Sequence, residues 1–300
     1  MSTKASVAVG LIQMAAEKNP AANLKKVLAR IDRAAAGGVQ IIGLQELFLT
    51  PYFCQSEDPT YFKLAEPIPG PTTDVLSRAA RKNKVVIVAP LFEKRTAGIY
   101  HNSAAVLDAG GELLGTYRKM HIPDDPNFYE KFYFTPGDLG FPVFQTRYAR
   151  IAVLICWDQW FPEAARIVAL EGAQILFYPT AIAWHDRDKK FAGAQREGWE
   201  VVQRGHAVAN QVYVAVTNRS GREGRLNFWG NSFVSDPFGK VTARAPAGKE
   251  DVDLIVPCDL NRIEEVRRDW PFFRDRRVDA YQGISERFLD HARDFSAAKK

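Results

Sequence analysis

The sequence predicts an α/β protein whose fold is a four-layer α-β-β-α sandwich with an internal pseudo-two-fold duplication. Both halves of the chain carry the same order of elements, β-α-β-α-β followed by a hairpin. The entries to the second strand also match, with GGVQII at residues 37–42 and EGAQIL at residues 171–176. Two sheets with helices on one face each can bury their other faces against each other. We therefore treat residues 1–300 as a single domain.

The first half alternates apolar strands with amphipathic helices. The first helix is predicted to open at Asn19-Pro20 and to end at Gly37-Gly38, residue types that favour helix N- and C-termini. A Gly-containing turn, Asp108-Ala109-Gly110-Gly111, indicates the hairpin. The predicted strands are 7–14, 39–44 and 85–90, the helices are 20–36 and 72–82, and the hairpin strands are 101–107 and 112–118.

The second half repeats this order and adds a late strand and a tail. The predicted strands are 151–155, 174–178 and 211–217, the helices are 162–171 and 190–210, the hairpin strands are 231–235 and 240–243, and the late strand is 253–258. Residues 262–300 contain several aromatic side chains, which favours a C-terminal docking or oligomerisation tail. We therefore expect a homo-oligomer, either a dimer or a larger assembly. We also expect the substrate to be a small molecule.

The composition argues against a membrane protein, a secreted protein and a nucleic-acid-binding protein. Apolar residues make up 46% of the chain without any run long enough to span a membrane. The N-terminus lacks a signal-peptide pattern, and the three cysteines are far apart, so we expect a cytoplasmic protein with neither a metal site nor disulfides. The net charge is +5, but the acidic and basic residues are interspersed, which argues against a nucleic-acid partner.

Three chemically reactive residues follow predicted strands, namely Glu46, Lys119 and Cys156. Because α/β folds place their chemistry at the carboxyl ends of strands, these side chains are predicted to converge. Cys156 also precedes a helix that begins near Pro162. A thiol needs a base to become a nucleophile, a buried carboxyl can be that base, and an ammonium can stabilise an oxyanion. The alternative for Cys156 is a buried cysteine that only packs.

Three separated segments resemble the nitrilase superfamily of carbon–nitrogen hydrolases: GLQELF, GTYRKMHIP and LICWDQWFPEAAR. The resemblance covers roughly residues 5–288. It implies the four-layer sandwich, oligomers formed through helical faces, and no metal or organic cofactor. It also implies that Glu46, Lys119 and Cys156 are the catalytic set, and that Glu130 in FYEKFYFTPGD helps to position the lysine and the substrate.

Within that family, the segments FYPTAI and DWPFFRDRRVDAY look most like N-carbamoylputrescine amidases. The resemblance implies hydrolysis of a carbamoyl C–N bond by a cysteine thiolate, yielding putrescine, carbon dioxide and ammonia. It further implies that Glu46 is the base, and that Lys119 and the backbone N–H of Trp157 stabilise the oxyanion. Tyr52 and Trp157 are candidates for the wall of the substrate pocket.

One departure from that subfamily concerns the far end of the substrate. After FYPTAI the subfamily has Gly-Ser-Glu, whereas this chain has Ala-Trp-His followed by Asp-Arg-Asp. Asp186 or Asp188 could bind the ammonium of a cationic substrate. Alternatively, His185 and Arg187 could bind a carboxylate, as in 3-ureidopropionate or N-carbamoyl amino acids. An omega-amidase activity is a further alternative.

Other classes of function are also open from the sequence. His121 lies two residues after Lys119, so a papain-like Cys–His enzyme is conceivable, although the expected local signature is missing. A non-catalytic binding or scaffold protein would keep the fold without the chemistry, and a redox-sensing thiol would use Cys156 alone. The presence of Glu46 and Lys119 together with Cys156 favours the hydrolase.

Overall fold

The computed structural model describes residues 6–289, apart from the side chains of residues 186, 188 and 189. The strands are β1 (Ser6–Gln13), β2 (Ile41–Leu44), β3 (Val86–Thr96), β4 (Ile99–Leu107), β5 (Leu113–Arg118), β6 (Val143–Gln145), β7 (Arg150–Val153), β8 (Ile175–Thr180), β9 (Ala183–His185), β10 (Tyr213–Asn218), β11 (Ser220–Glu223), β12 (Leu226–Trp229), β13 (Phe233–Ser235), β14 (Val241–Arg244) and β15 (Val252–Asp259). The helices are α1 (Pro20–Ala36), α2 (Pro71–Asn83), α3 (Glu130–Tyr133), α4 (Pro162–Leu170), α5 (Ala192–Asn210) and α6 (Asn261–Asp269).

The helices begin and end where local chemistry favours it. The Asn19 side chain accepts a hydrogen bond of 2.9 Å from the N–H of Ala21, and Pro20 occupies the first turn of α1. Apolar residues at helical spacing, including Val27 and Ile31, are fully buried against the first sheet. Proline likewise opens α2 and α4.

The two large sheets of the described chain have closely related topologies. One has the strand order β15-β1-β2-β3-β4-β5, and the other has the order β14-β13-β10-β8-β7-β6. In each sheet three neighbouring strands are parallel and the hairpin strands are antiparallel. The late strand β15 joins the first sheet, antiparallel to β1, with Ser6 opposite Asp259. The predicted duplication is thus present in the structure.

The sheets bury one face against each other and cover the other face with helices. One apolar core contains Val9, Ile41 and Val88 from the first sheet together with Phe177 and Val216 from the second. Helices α1 and α2 cover the outer face of the first sheet, and α4 and α5 cover that of the second. The predicted four-layer α-β-β-α sandwich is confirmed.

A small antiparallel sheet of β9, β11 and β12 is absent from the sequence prediction, as are the short strand β6 and the extension of β3 to Thr96. Residues 219–229 are rich in charged residues and glycine, so they lack the apolar periodicity that predicts a strand. Their pairing is supported by the rings of Trp184 and Trp229, which stack with centroids 5.2 Å apart. Helix α5 begins two residues after the predicted start.

The end of the described chain is less buried than the sandwich. Residues 270–289 contain two short 3₁₀ turns, and Trp270, Tyr281 and Phe288 are exposed there. The rest of the predicted tail, residues 290–300, lies outside the described part of the chain. Among residues 6–289, none of the helices combines the length and the hydrophobicity that crossing a bilayer requires.

Gly43 in β2 offers a test of the packing between the sheets. A Cβ atom at this position would lie 2.9 Å from Cδ1 of Phe177 and 3.1 Å from Oγ1 of Thr217, both on the facing sheet. We expect Gly43→Ala to lower the free energy of unfolding by about 1–3 kcal/mol, because the facing side chains must move. Urea unfolding followed by far-UV circular dichroism measures the change.

The matched control is Gly198→Ala in α5, where a Cβ atom would meet no described atom within 4 Å apart from its own helix backbone. This variant is expected to be as stable as the parent, or more stable by up to about 1 kcal/mol, because alanine favours a helix over glycine. Equal stability of the two variants would contradict close packing at Gly43.

Candidate active site

Cys156 lies at the turn that follows β7. It is the first residue of a 3₁₀ segment, Cys156–Trp160, and it has a φ of 44°, which is uncommon for a residue other than glycine. Only 6% of the residue is exposed, and the backbone of Ala181 donates a hydrogen bond to its thiol sulfur. The N–H of Trp157 lies in the first turn of this segment, where N–H groups have no partner within the helix.

Asp158 fixes this turn to the neighbouring sheet. Its carboxylate accepts hydrogen bonds from the N–H of Ile155 at 2.8 Å and from the hydroxyl of Tyr117 at 2.7 Å. It also contacts the backbone N–H of His121 at 3.0 Å and its Nδ1 at 2.7 Å. The His121 ring stacks on Phe161 at 3.8 Å. In this structure, therefore, His121 is bound to Asp158 and supports the turn, which disfavours a papain-like pairing with Cys156.

Gln159 ties the same turn to α5. Its side-chain oxygen accepts hydrogen bonds from Nε1 of Trp199 at 2.9 Å and from Nε2 of Gln203 at 3.2 Å. Its backbone oxygen lies 2.8 Å from Nε2 of His206, so that ring nitrogen must carry the proton. The turn that presents the thiol is thus held from two sides.

Lys119 lies between two buried carboxylates. Its Nζ is 2.8 Å from Oε1 of Glu46 and 2.7 Å from Oε2 of Glu130. All three residues are at most 1% exposed. Nδ2 of Asn102, in β4, donates to the same Oε1 of Glu46 at 2.7 Å. Among the described atoms, Oε2 of Glu46 is buried without a hydrogen-bond partner, which leaves one carboxylate oxygen able to accept a proton.

The protonation states follow from burial and from these charges. Burial raises the pKa of the Cys156 thiol, and the charge of Glu46 raises it further, whereas Lys119 lowers it. Burial acts to lower the pKa of Lys119, but the two carboxylates outweigh burial and raise it, so the amine stays charged. Burial also raises the pKa of Glu130. Cys156 therefore rests as a thiol and needs a base to react.

A second layer of buried groups supports the two carboxylates. The hydroxyl of Tyr52 donates to Oε1 of Glu130 at 2.8 Å, and the N–H of Tyr52 donates to Glu223 at 2.5 Å. Arg219 binds Glu223 at 2.7 Å and donates to the backbone oxygens of Glu46 and Leu47 at 3.1 and 2.8 Å. Tyr52 was predicted for the wall of the substrate pocket, but it is not among the described residues that line the cavity at Cys156, and it contacts Glu130 instead.

The sequence interpretation did not identify Asn102, Arg219 or Glu223 as members of this site. Arg219 follows directly after β10, at the same edge of the second sheet as Cys156. The rule that identified the other strand-end residues could have identified this one. Asn102 lies inside a strand, where nothing in the local sequence distinguishes it.

A pocket of about 340 Å³ opens onto the thiol. Cys156, Glu130 and the predicted Trp157 and His185 contribute to its lining. The side chains of Asp186 and Asp188, both predicted to bind substrate, lie outside the described part of the chain. Six of the further lining residues are aromatic or charged, namely Phe128, Trp160, Trp184, Trp229, Asp125 and Arg187.

Comparison with known proteins gives the same family over most of the chain. The family model described as carbon-nitrogen hydrolase matches residues 8–268. An N-carbamoylputrescine amidase of Arabidopsis thaliana is 44% identical over 285 residues, covering 92% of this chain and 94% of the relative. A citrullinase of Francisella tularensis is 39% identical and covers 95% of this chain and 100% of the relative.

Solved structures agree. A carbon-nitrogen hydrolase from Helicobacter pylori G27 superposes with a TM-score of 0.91 at 43% identity, covering 95% of this chain and 100% of that one. An amidase from Nesterenkonia sp. AN1 superposes with a TM-score of 0.70 at 25% identity, covering 88% of this chain and 96% of that one. That structure is of a mutant of the amidase, in which the acetamide moiety of fluoroacetamide is covalently attached to the active-site cysteine.

His206 makes the turn that carries Cys156 sensitive to acid. Burial lowers the pKa of His206, despite its hydrogen bond to Gln159. The unfolded chain binds a proton below about pH 6.5, whereas the folded chain resists it. We therefore expect the stability contribution of neutral His206 to be complete above about pH 6.5 and to be lost as the pH falls toward its folded-state pKa.

The measurement is the free energy of unfolding in urea at about pH 7 and about pH 5.5, compared with His206→Gln. Glutamine keeps a donor for the carbonyl of Gln159 but does not titrate. Between about pH 7 and about pH 5.5, the free energy of unfolding of the parent should fall by about 1 kcal/mol more than that of the variant. Equal losses would contradict a neutral buried imidazole.

Proposed function

The chain belongs to the carbon–nitrogen hydrolase family, and from this premise we propose that it hydrolyses the ureido group of N-carbamoylputrescine to putrescine, carbon dioxide and ammonia. The observation that carries the proposal is the composition of the pocket. Cys156 shares one cavity with the carboxylate of Asp125 and with several aromatic rings. Aromatic faces and a carboxylate together suit a cationic chain end.

In the proposed mechanism, Oε2 of Glu46 takes the thiol proton of Cys156, and the sulfur attacks the carbamoyl carbon. Lys119 and the N–H of Trp157 stabilise the oxyanion. Glu46 then returns the proton to the departing nitrogen, so that ammonia leaves and a carbamoyl thioester remains on Cys156. This assignment is supported by the unpartnered Oε2 and by the contact of 2.8 Å between Lys119 and Glu46.

Water completes the reaction. Glu46 takes a proton from the water as its oxygen attacks the thioester carbon, and the sulfur leaves and is reprotonated. The released N-carboxy amine loses carbon dioxide to give the free amine. Glu130 does not exchange a proton in this scheme. Its role is to keep Lys119 charged and in place, supported by their contact of 2.7 Å.

A second candidate substrate is citrulline, whose ureido group is attached to a chain that ends in an ammonium and a carboxylate. The specific observation in its favour is that His185 and Arg187 line the same pocket as Asp125. Nδ1 of His185 accepts a hydrogen bond of 3.1 Å from the N–H of Arg187, so its Nε2 carries the ring proton and can donate. The relative from Francisella tularensis that is named citrullinase also supports citrulline as a candidate substrate.

Ammonia release from a panel of substrates tests the function. The panel contains N-carbamoylputrescine, citrulline, 3-ureidopropionate, other N-carbamoyl amino acids and ω-amido acids. We expect the highest kcat/KM with N-carbamoylputrescine and no release from Cys156→Ala. A preference for citrulline would support the second candidate. A preference for a substrate without a distal ammonium would contradict both.

Two matched variants locate the group that binds the distal end. Asp125→Asn should raise KM for N-carbamoylputrescine by about fivefold with little change in kcat, because a partly exposed ion pair contributes about 1 kcal/mol. Arg187→Gln is the control and should leave that KM unchanged. Suppose that Asp125→Asn changes KM neither for N-carbamoylputrescine nor for citrulline, whereas Arg187→Gln changes KM for citrulline. Asp125 then does not bind the substrate.

We also propose that the chain forms a homo-oligomer through its second helical layer. Apolar side chains are exposed on this layer, including Leu170 in α4 and Val201 in α5, which are 47% and 55% exposed. We expect Val201→Arg to give a smaller particle than the parent by size-exclusion chromatography with light scattering. Ile99→Arg, on the β3–β4 hairpin, is the control that should leave the mass unchanged. A monomeric parent would contradict the proposal.

A further inference from the structure

A second pocket of about 580 Å³ lies on the other side of Tyr52 from Glu130. Its wall combines the segment before α1, the segment after Glu46 and the turn between β11 and β12. Among the described residues, it shares no lining residue with the pocket that contains Cys156. The proposed reaction makes no use of it.

The charge of this second pocket is positive. Lys18, Lys63 and Arg222 reach it from three different segments of the chain. Among the described lining residues, the one carboxylate is that of Glu223, and both of its oxygens have partners. One oxygen binds Arg219 at 2.7 Å, and the other accepts the N–H of Tyr52 at 2.5 Å. The charge of Glu223 is therefore neutralised by Arg219 behind the wall, and Lys18 and Lys63 give the pocket its positive field.

The remaining lining suits an organic group. The side chains of Phe53, Tyr61 and Leu64 form an apolar part of the wall, and Thr50, Gln55 and Ser56 add hydrogen-bonding groups. Helix α1, which has 17 residues and no acidic residue in its first turn, begins at the pocket wall with Pro20. Its N-terminal dipole adds to the positive field.

We propose that this second pocket binds a small organic anion that carries at least two negative charges on phosphate or carboxylate groups. Lys18 and Lys63 form charge-assisted hydrogen bonds with the anion, and Arg222 contributes positive charge at the same wall. The volume is within the range of pockets that hold small molecules. Tyr52 and Glu223 form part of the wall, so a bound anion touches the layer that supports Glu130 and Glu46.

Isothermal titration calorimetry on the full-length chain tests the proposal. The probes are pyrophosphate for the phosphate class, citrate for the carboxylate class, and ATP for a phosphate with a planar organic part. We expect at least one of them to bind with one site per chain and an affinity that falls with added salt. Lys18→Gln and Lys63→Gln should each weaken binding by about tenfold. Lys94→Gln, an exposed lysine of β3 outside the second pocket, is the control and should not change it.

Two further measurements separate this site from the catalytic pocket. The anion should bind Cys156→Ala unchanged in the presence of saturating N-carbamoylputrescine, and ammonia release by Lys18→Gln and Lys63→Gln should equal that of the parent without anion. Competition with substrate, equal affinities for all lysine variants, or no saturable binding up to about 10 mM would each overturn the proposal. The calorimetric titrations without substrate do not depend on which ureide is the substrate.

Discussion

The structure around the site depends on one buried ammonium held between two buried carboxylates. Moving such charges out of water costs several kcal/mol each, so every atom that carries charge needs a partner. Lys119 has Glu46 and Glu130, and these in turn have Asn102 and Tyr52. Within the described part of the chain, Oε2 of Glu46 is the exception, since it has no hydrogen-bond partner there. An unpartnered buried oxygen is costly for stability, and its retention is consistent with a group that takes up and returns a proton.

The sandwich brings these groups together because its two sheets face each other with related topologies. Glu46 follows β2 and Lys119 follows β5 in one sheet, whereas Cys156 follows β7 in the other. Asp158 connects the two edges, since it binds Tyr117 in β5 as well as the turn that carries the thiol. The relative position of Cys156 and Glu46 is therefore set by the packing of two sheets, which a flexible loop could not fix as closely.

The site residues that could be identified from the sequence are those that follow a recognisable apolar run. Glu46 and Cys156 each follow an apolar run, and the repeated order of elements places both runs at the interface between the sheets. The fold and the placement of these two residues at the sheet edges were therefore predictable together. Asn102 was not, because a polar residue inside a strand looks the same whether it faces water or a carboxylate. Arg219 and the strands β11 and β12 were also not predicted, because their sequence lacks apolar periodicity. They are held by hydrogen bonds and ring stacking with segments distant in sequence.

The pairing of β15 with β1 has a consequence for how the chain is made. Residues 6–13 are synthesised well before their antiparallel partner, residues 252–259. Until that late segment is synthesised, β1 presents an unpaired edge, the kind of surface that associates with other chains. Contacts of such long sequence separation also slow folding. The exposed edge of β1 is therefore a site of possible aggregation until residues 252–259 have been synthesised.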